Sequence, residues 1–171
     1  MNSQERRNSI VDILSKTLEP ISGSELAKKF NVTRQIIVQD VAILRAEGVK
    51  IISTPQGYIK DFSTNGGFIK KVFAVRHDYD RTEEELNLIV DNGGKVLDVI
   101  VEHPFYGEIK GLLMVSSRYE VKQFMRYIEN GKTTLLSSLT EGVHLHTVEA
   151  KDLETLERIQ KALKEKGFLI E

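Results

Sequence analysis

Between residues 4 and 60 the spacing of apolar residues changes period once, at Gly48, and that change limits the folds open to this stretch. Upstream, Ile10, Ile13, Leu14 and Leu18 recur at helical spacing, so residues 4–18 are expected to form an amphipathic helix that stops before Pro20. Ser22-Gly23-Ser24-Glu25 offers N-cap chemistry for a short helix over 25–30, with Leu26, Ala27 and Phe30 on its apolar side. Asn31-Val32 is a turn. Thr33 caps a third helix, buried through Ile36, Ile37, Val41, Ile43 and Leu44 and closed by Gly48. Downstream, residues 49–53 and 58–60 read as short strands joined by Thr54-Pro55-Gln56-Gly57, a sequence suited to a tight reversal. The expected order is three helices, with a tight turn before the third, and then a β-hairpin.

That order carries E-L-A-x-x-F-x-V-T-R-Q-x-I-x-x-D-V-x-x-L-R-x-x-G through its second and third helices, and over residues 4–60 it resembles the small winged helix-turn-helix domains of bacterial repressors. The resemblance implies a third helix in the DNA major groove, where residues of the first turn reach base edges. Those would be Thr33, Arg34 and Gln35, with Gln39 one turn on. Arginine pairs with guanine O6 and N7, glutamine with adenine N6 and N7, and Thr33 suits a phosphate at the helix N-terminus. Lys28, Lys29, Lys50 and Lys60 are candidates for phosphate contacts. Each of these residues also fits an ordinary solvated position, and the surrounding order of elements is what favours DNA.

Phe62-Ser63-Thr64-Asn65-Gly66-Gly67 collects turn formers between two patterned stretches and reads as a linker over 62–67, separating a domain at 1–61 from one at 68–171. Net charge hides a mild asymmetry. Residues 1–66 hold nine Lys plus Arg against seven Asp plus Glu, and the remainder fifteen against eighteen, the sense expected if only the first part meets phosphate. With no cysteine there is no disulfide, thiolate metal site or cysteine nucleophile, which fits a reducing cytoplasm. No apolar run approaches the roughly 18 to 20 residues that span a bilayer, and residues 1–14 lack a signal-peptide pattern, so no membrane partner is expected.

From Gly67 onward the pattern is strand (70–77), helix (83–90), strand (95–103), strand (108–115), helix (119–129), strand (143–149) and helix (153–166). This βαββαβ order with a trailing helix points to an α+β fold, specifically a ferredoxin-like sandwich. All four histidines lie here. His144 and His146 are two apart in a strand, so both rings leave one face, the spacing a metal ion needs. His77 ends another strand and Glu85 follows on a helix. Three imidazoles and a carboxylate suit zinc or nickel, with Asp78, Asp80 and Glu149 near enough in sequence to orient the rings. The rival reading makes His144 and His146 half-exposed polar residues, pairs His77 with Asp78 or Asp80, and makes Glu85 the partner of Thr82 in a capping box. His103-Pro104-Phe105-Tyr106-Gly107 connects two strands and displays imidazole, ring and phenol together. It either closes the end of the core or stacks on a flat heteroaromatic acid.

The winged helix combined with V-R-H-D, E-H-P-F-Y-G-E-I and G-V-H-L-H-T-V-E looks like the niacin-responsive repressors of the NiaR/YrxA type, whose C-terminal part is called the three-histidine (3H) domain. The resemblance spans nearly the whole chain and shows no departure in these motifs. It implies a cytoplasmic homodimer that binds operator DNA of niacin uptake and salvage genes, takes nicotinic acid as corepressor, and holds a divalent metal at His77, Glu85, His144 and His146. It makes His103 and Tyr106, with Phe105 beside them, candidates for effector contact. The alternative is a repressor in which the ion itself is the signal. A metal-dependent hydrolase with Glu85 as base has no nucleophile, phosphate loop or other catalytic motif behind it, so no enzyme is expected.

Overall fold

The computed structural model describes residues 1–61, 67–131 and 134–171, so residues 62–66 of the expected linker lie outside the described residues. The chain divides into two compact units, 1–64 and 65–171.

In the first unit α1 (Ser3–Ser15) and α2 (Gly23–Phe30) each begin with a capping box, Asn2 with Glu5 and Ser22 with Glu25. These close the first turns, whose N–H groups otherwise lack partners. Asn31, in the left-handed region at φ 52°, ends α2, and Thr33 caps α3 (Arg34–Ala46) by accepting from the Ile36 N–H at 3.3 Å. Strands β1 (Ile51–Thr54) and β2 (Gly57–Lys60) form the antiparallel wing. Ile10, Leu14, Leu26, Ala27, Ile37, Val41, Leu44 and Ile51 make the core. Each larger aliphatic side chain buried there contributes about 1.5–3 kcal/mol. Leu18, expected on the buried side of α1, is 79% exposed because the helix stops at Ser15. Ile43, also expected inside, is 41% exposed.

The wing is pinned to the segment before α2. Ile21 and Tyr58 exchange both backbone hydrogen bonds, at 2.9 and 2.8 Å. Gly57 makes this approach possible: its φ is +139°, and a Cβ there would stand 2.4 Å from the Ile21 carbonyl. Arg6 on α1 bonds the buried Asp40 of α3 at 2.6 Å, an ion pair that joins the first and third helices.

The second unit runs β3 (Ile69–Arg76), a 3-10 turn (Tyr79–Arg81), α4 (Thr82–Asp91), β4 (Lys95–His103), β5 (Gly107–Val115), α5 (Arg118–Asn130), a 3-10 segment (Leu136–Thr140), β6 (Val143–Ala150) and α6 (Leu153–Glu165). The four strands form one antiparallel sheet in the order β3-β6-β4-β5. Helix α4 packs on both α5 and α6, and a core including Phe73, Val75, Leu86, Ile89, Val148, Ile159 and Phe168 lies between helices and sheet. The chain is α+β, as expected, but the ferredoxin-like order is not what the sheet adopts. That order centres the first and third strands of the domain, whereas here the second and fourth, β4 and β6, are central. Both orders use the same strands and the same crossover helices, so periodicity along the chain does not separate them. The difference matters for chemistry: β6, with His144 and His146, lies between β3 and β4.

Candidate functional site

Two elements, β6 and α4, and the segment that follows β3 bring the four expected ligands together. His144 and His146 leave the same face of β6, His77 follows the last residue of β3, and Glu85 projects from the first turns of α4. All four are buried, Glu85 completely. His144 Nε2 lies 3.1 Å from His146 Nε2 and 3.5 Å from Glu85 Oε2, His146 Nε2 lies 3.2 Å from Glu85 Oε1, and His77 Nε2 contacts Glu85 Oε2. One ligand atom from each of His77, Glu85 and His144 can be chosen so that all lie within 4.8 Å of one another.

The outer nitrogen of every ring is committed. Nδ1 of His77 donates to the Asp78 carbonyl at 2.7 Å, that of His144 to the Gly142 carbonyl at 2.8 Å, and that of His146 to the Asp98 carbonyl at 2.6 Å. A carbonyl only accepts, so each Nδ1 carries the proton and each Nε2 turns inward. With neutral rings this sets three nitrogen lone pairs against a carboxylate, four acceptors and no donor, and Glu85 Oε1 makes no hydrogen bond although buried. Only protons or a cation relieve such a cluster. In the absence of a cation, burial pulls the His77 and His146 pKa values down, but their bonds to Glu85 and its charge outweigh burial and leave both raised. Burial pushes Glu85 up, while the His146 charge and the bonds from all three rings hold it well below the usual carboxylate range. The donor set fits a borderline divalent ion, with carbonyls fixing the rings from outside.

Asp78 serves through its backbone, not its carboxylate. Glu149 lies 3.9 Å from Lys70, at the solvent side of the sheet. Asp98, which sequence reasoning missed, orients His146 through its carbonyl and accepts the Thr147 N–H on its carboxylate at 2.9 Å, and a β4 irregularity between Val96 and Ile100 makes room for this. Gly142 is the other unexpected contributor. At φ +87° it accepts from His144, and a Cβ there would meet the His77 carbonyl at 2.4 Å. Thr82 and Glu85 do not form a capping box. The residue preceding α4 is Arg81, which makes no side-chain cap bond, and Glu85 faces the rings.

A cavity of about 220 Å³ opens beside the cluster, lined by His77, His144 and His146 and by Thr82, Leu86, Val99, Gly111, Leu113, Phe124 and Leu136 among others. His103, Phe105 and Tyr106 lie elsewhere, on the β4–β5 hairpin. The His103 Nδ1 accepts from the N–H groups of Phe105 and Tyr106 at 3.1 and 3.3 Å, and those two side chains are 90% and 80% exposed. His103 shares a broader concavity of about 840 Å³ with His144, which Phe105 and Tyr106 do not line.

In the first unit Thr33, Arg34, Gln35, Gln39 and Lys50 are exposed. The Arg34 side chain turns toward the start of α2, where a Cβ on Gly23 would lie 3.5 Å from its Nε and 3.4 Å from Tyr58 Cε2. Lys60 is half-buried and donates to Ser15 Oγ at 2.9 Å. Among the described residues, no helix is long and apolar enough to cross a membrane.

A 3H domain family model matches residues 70–171 and an HTH domain model matches residues 6–59. The chain is 51% identical over 168 residues to a probable transcription repressor NiaR of Thermotoga maritima, covering 98% of this chain and 95% of that one. It is 43% identical over 167 residues to the transcription repressor NadR of Bacillus subtilis, covering 96% and 93%. A crystal structure of the Thermotoga maritima IclR aligns over 98% of this chain and 96% of its own at 14% identity, with a TM-score of 0.31. An HTH unit joined to a 3H unit, with similarity to two repressors along almost their whole length, places this chain in the family of 3H-domain transcription repressors, as a DNA-binding regulator and not an enzyme.

Proposed function

We propose that this chain represses niacin uptake and salvage genes as a cytoplasmic homodimer, with nicotinic acid as corepressor and a divalent transition metal held by His77, Glu85, His144 and His146. The winged domain is read as 1–61 and the effector domain as 68–171. The observation that carries the metal is the convergence of three inward Nε2 atoms and a fully buried carboxylate with no donor among them. Such an ion, when bound, supplies positive charge and an electrophilic contact for a heterocyclic nitrogen or a carboxylate. The chain itself fixes the rings through the carbonyls of Asp78, Gly142 and Asp98 and walls the adjoining cavity with Leu86, Val99, Leu113 and Phe124. At about 220 Å³ that cavity is smaller than the roughly 300–1,000 Å³ sites of drug-sized ligands, and it suits one flat ring.

Effector contact at His103, Phe105 and Tyr106 remains part of the proposal through the concavity that His103 shares with His144. His103→Ala and Gly111→Val then separate the two locations, since Gly111 lines only the smaller cavity. Corepression requires that nicotinate favour the dimer geometry whose recognition helices match successive turns of DNA, about 34 Å apart. With typical coupling it tightens operator binding roughly 5- to 150-fold. The test is operator affinity at fixed salt on niacin-gene promoter DNA, with chelated and metal-loaded protein, each with and without nicotinic acid. Tightening only when nicotinate is present supports the proposal. Tightening by metal alone makes the ion the signal.

A further inference from the structure

Around α3 the residues Gln35, Gln39, Ala42 and Ala46 are all exposed, and at 100° per residue they form one strip roughly 60° wide. The strip carries two carboxamides and two methyl groups and no charge. The helix has two cations, and both are placed off it. Arg34 lies about 100° round the helix from Gln35 and turns to Gly23 at the start of α2, beside Tyr58 of the wing. Arg45 donates to the Ile51 carbonyl and to Ser53 Oγ, each at 2.8 Å. The one acid of α3, Asp40, is buried against Arg6.

In the major groove a carboxamide pairs with adenine N6 and N7, and a methyl packs on the thymine methyl. Reading guanine O6 and N7 calls for arginine or lysine. From this distribution we infer that the recognition helix reads A·T pairs, through Gln35 and Gln39 with a methyl contact from Ala42, and that Arg34 grips the sugar–phosphate backbone beside the first turn of α2. Thr33 and Arg34, expected from the sequence to take part in the reading end of the helix, then serve as its cap and its backbone anchor. The inference rests on α3 being the helix that enters the groove.

The test uses the full chain and a library of randomised DNA duplexes, selected with metal and nicotinic acid present and again with neither. The expected consensus has two A·T pairs in each half-site. Gln35→Ala and Gln39→Ala, both favourable for an exposed helix position, each abolish the preference at one of these pairs and weaken the selected duplex about 5- to 150-fold. Replacing that adenine by 7-deazaadenine, which lacks N7, weakens the parent protein but costs the corresponding glutamine variant nothing more. Arg34→Ala weakens selected and random duplexes alike and lowers the slope of log affinity against log salt by about one. A conserved G·C pair that disappears in Arg34→Ala overturns the inference, as does a library with no enriched pair. Unchanged binding of all three variants to every duplex refutes the underlying placement of α3 in the groove.

Discussion

Glu85→Gln tests the cluster most directly, because it keeps the shape of the side chain while exchanging the carboxylate for a neutral amide, which removes the counter-charge and one acceptor oxygen. Glu85 is 0% exposed and meets the Nε2 atoms of His77, His144 and His146. Solvent screens none of this, and removing one partner from a buried ion pair costs about 3–5 kcal/mol. For a unit of roughly 100 residues each kcal/mol shifts Tm by about 4–8 °C, so a drop of at least 12 °C is expected in metal-free protein. The effect depends on pH in a defined sense. Glu85 is held below its ordinary pKa, so its contribution is present above the ordinary carboxylate pKa and is lost as pH falls through the folded value. His77 and His146 are raised, so theirs is present below the ordinary imidazole pKa and is lost as pH rises through the folded values. Both are complete only between about pH 4.5 and 6.5, and the penalty of Glu85→Gln in chelated protein is largest there. Thermal unfolding followed by circular dichroism from pH 4.5 to 8.5, with chelator and with excess zinc, measures it. A variant that unfolds within 2 °C of the parent in chelator and still binds one equivalent of zinc would refute the reasoning, because the carboxylate would then be neither counter-charge nor ligand.

Metal affinity should fall as pH drops through the raised His77 and His146 values, since the cation displaces protons from those rings; isothermal titration in buffers of different ionisation heat reads the protons released. Gly111→Val should abolish nicotinate binding while leaving metal stoichiometry intact, because even a Cβ at 111 would stand 3.2 Å from Leu136 and 3.4 Å from Val99 across the cavity. Gly57→Ala should destabilise the first unit by about 1–3 kcal/mol through its backbone conformation alone, with the 2.4 Å approach to Ile21 adding to this; urea unfolding would show a lower midpoint. Lys50→Ala should weaken operator and random duplexes equally and lower the salt slope by about one, measured by fluorescence anisotropy at several salt concentrations.

Most element boundaries were legible because they depend on neighbours a few residues away. Strand β4 spans 95–103 as expected, and Thr33 and Ser22 cap the helices that their chemistry announces. Failures occurred where a side chain's surroundings come from elsewhere in the fold. Leu18 continues the helical apolar spacing of α1 yet lies outside, because the helix ends at Ser15. Phe105 and Tyr106 read equally well as residues that close the end of the core, yet they stand in solvent at a hairpin turn. Asp98 gave no signal in the sequence, since what it offers His146 is a carbonyl that every residue possesses.

For the candidate site, spacing along β6 was enough to put His144 and His146 on one face, His77 at a strand end and Glu85 on the next helix completed a ligand set by residue type, and the family resemblance implied the same four residues. Periodicity is a local property, and it also left Glu85 equally suited to a capping box. The tertiary structure decided between these by placing β6 between β3 and β4, with α4 packed over that part of the sheet. Strand order is set by packing and crossover connections between residues far apart in the chain, and a one-dimensional pattern does not encode it. In the first unit, likewise, the sequence named the amides and cations of α3, but only the fold turned Gln35 and Gln39 to solvent, folded Arg34 toward α2 and tied Arg45 to the wing.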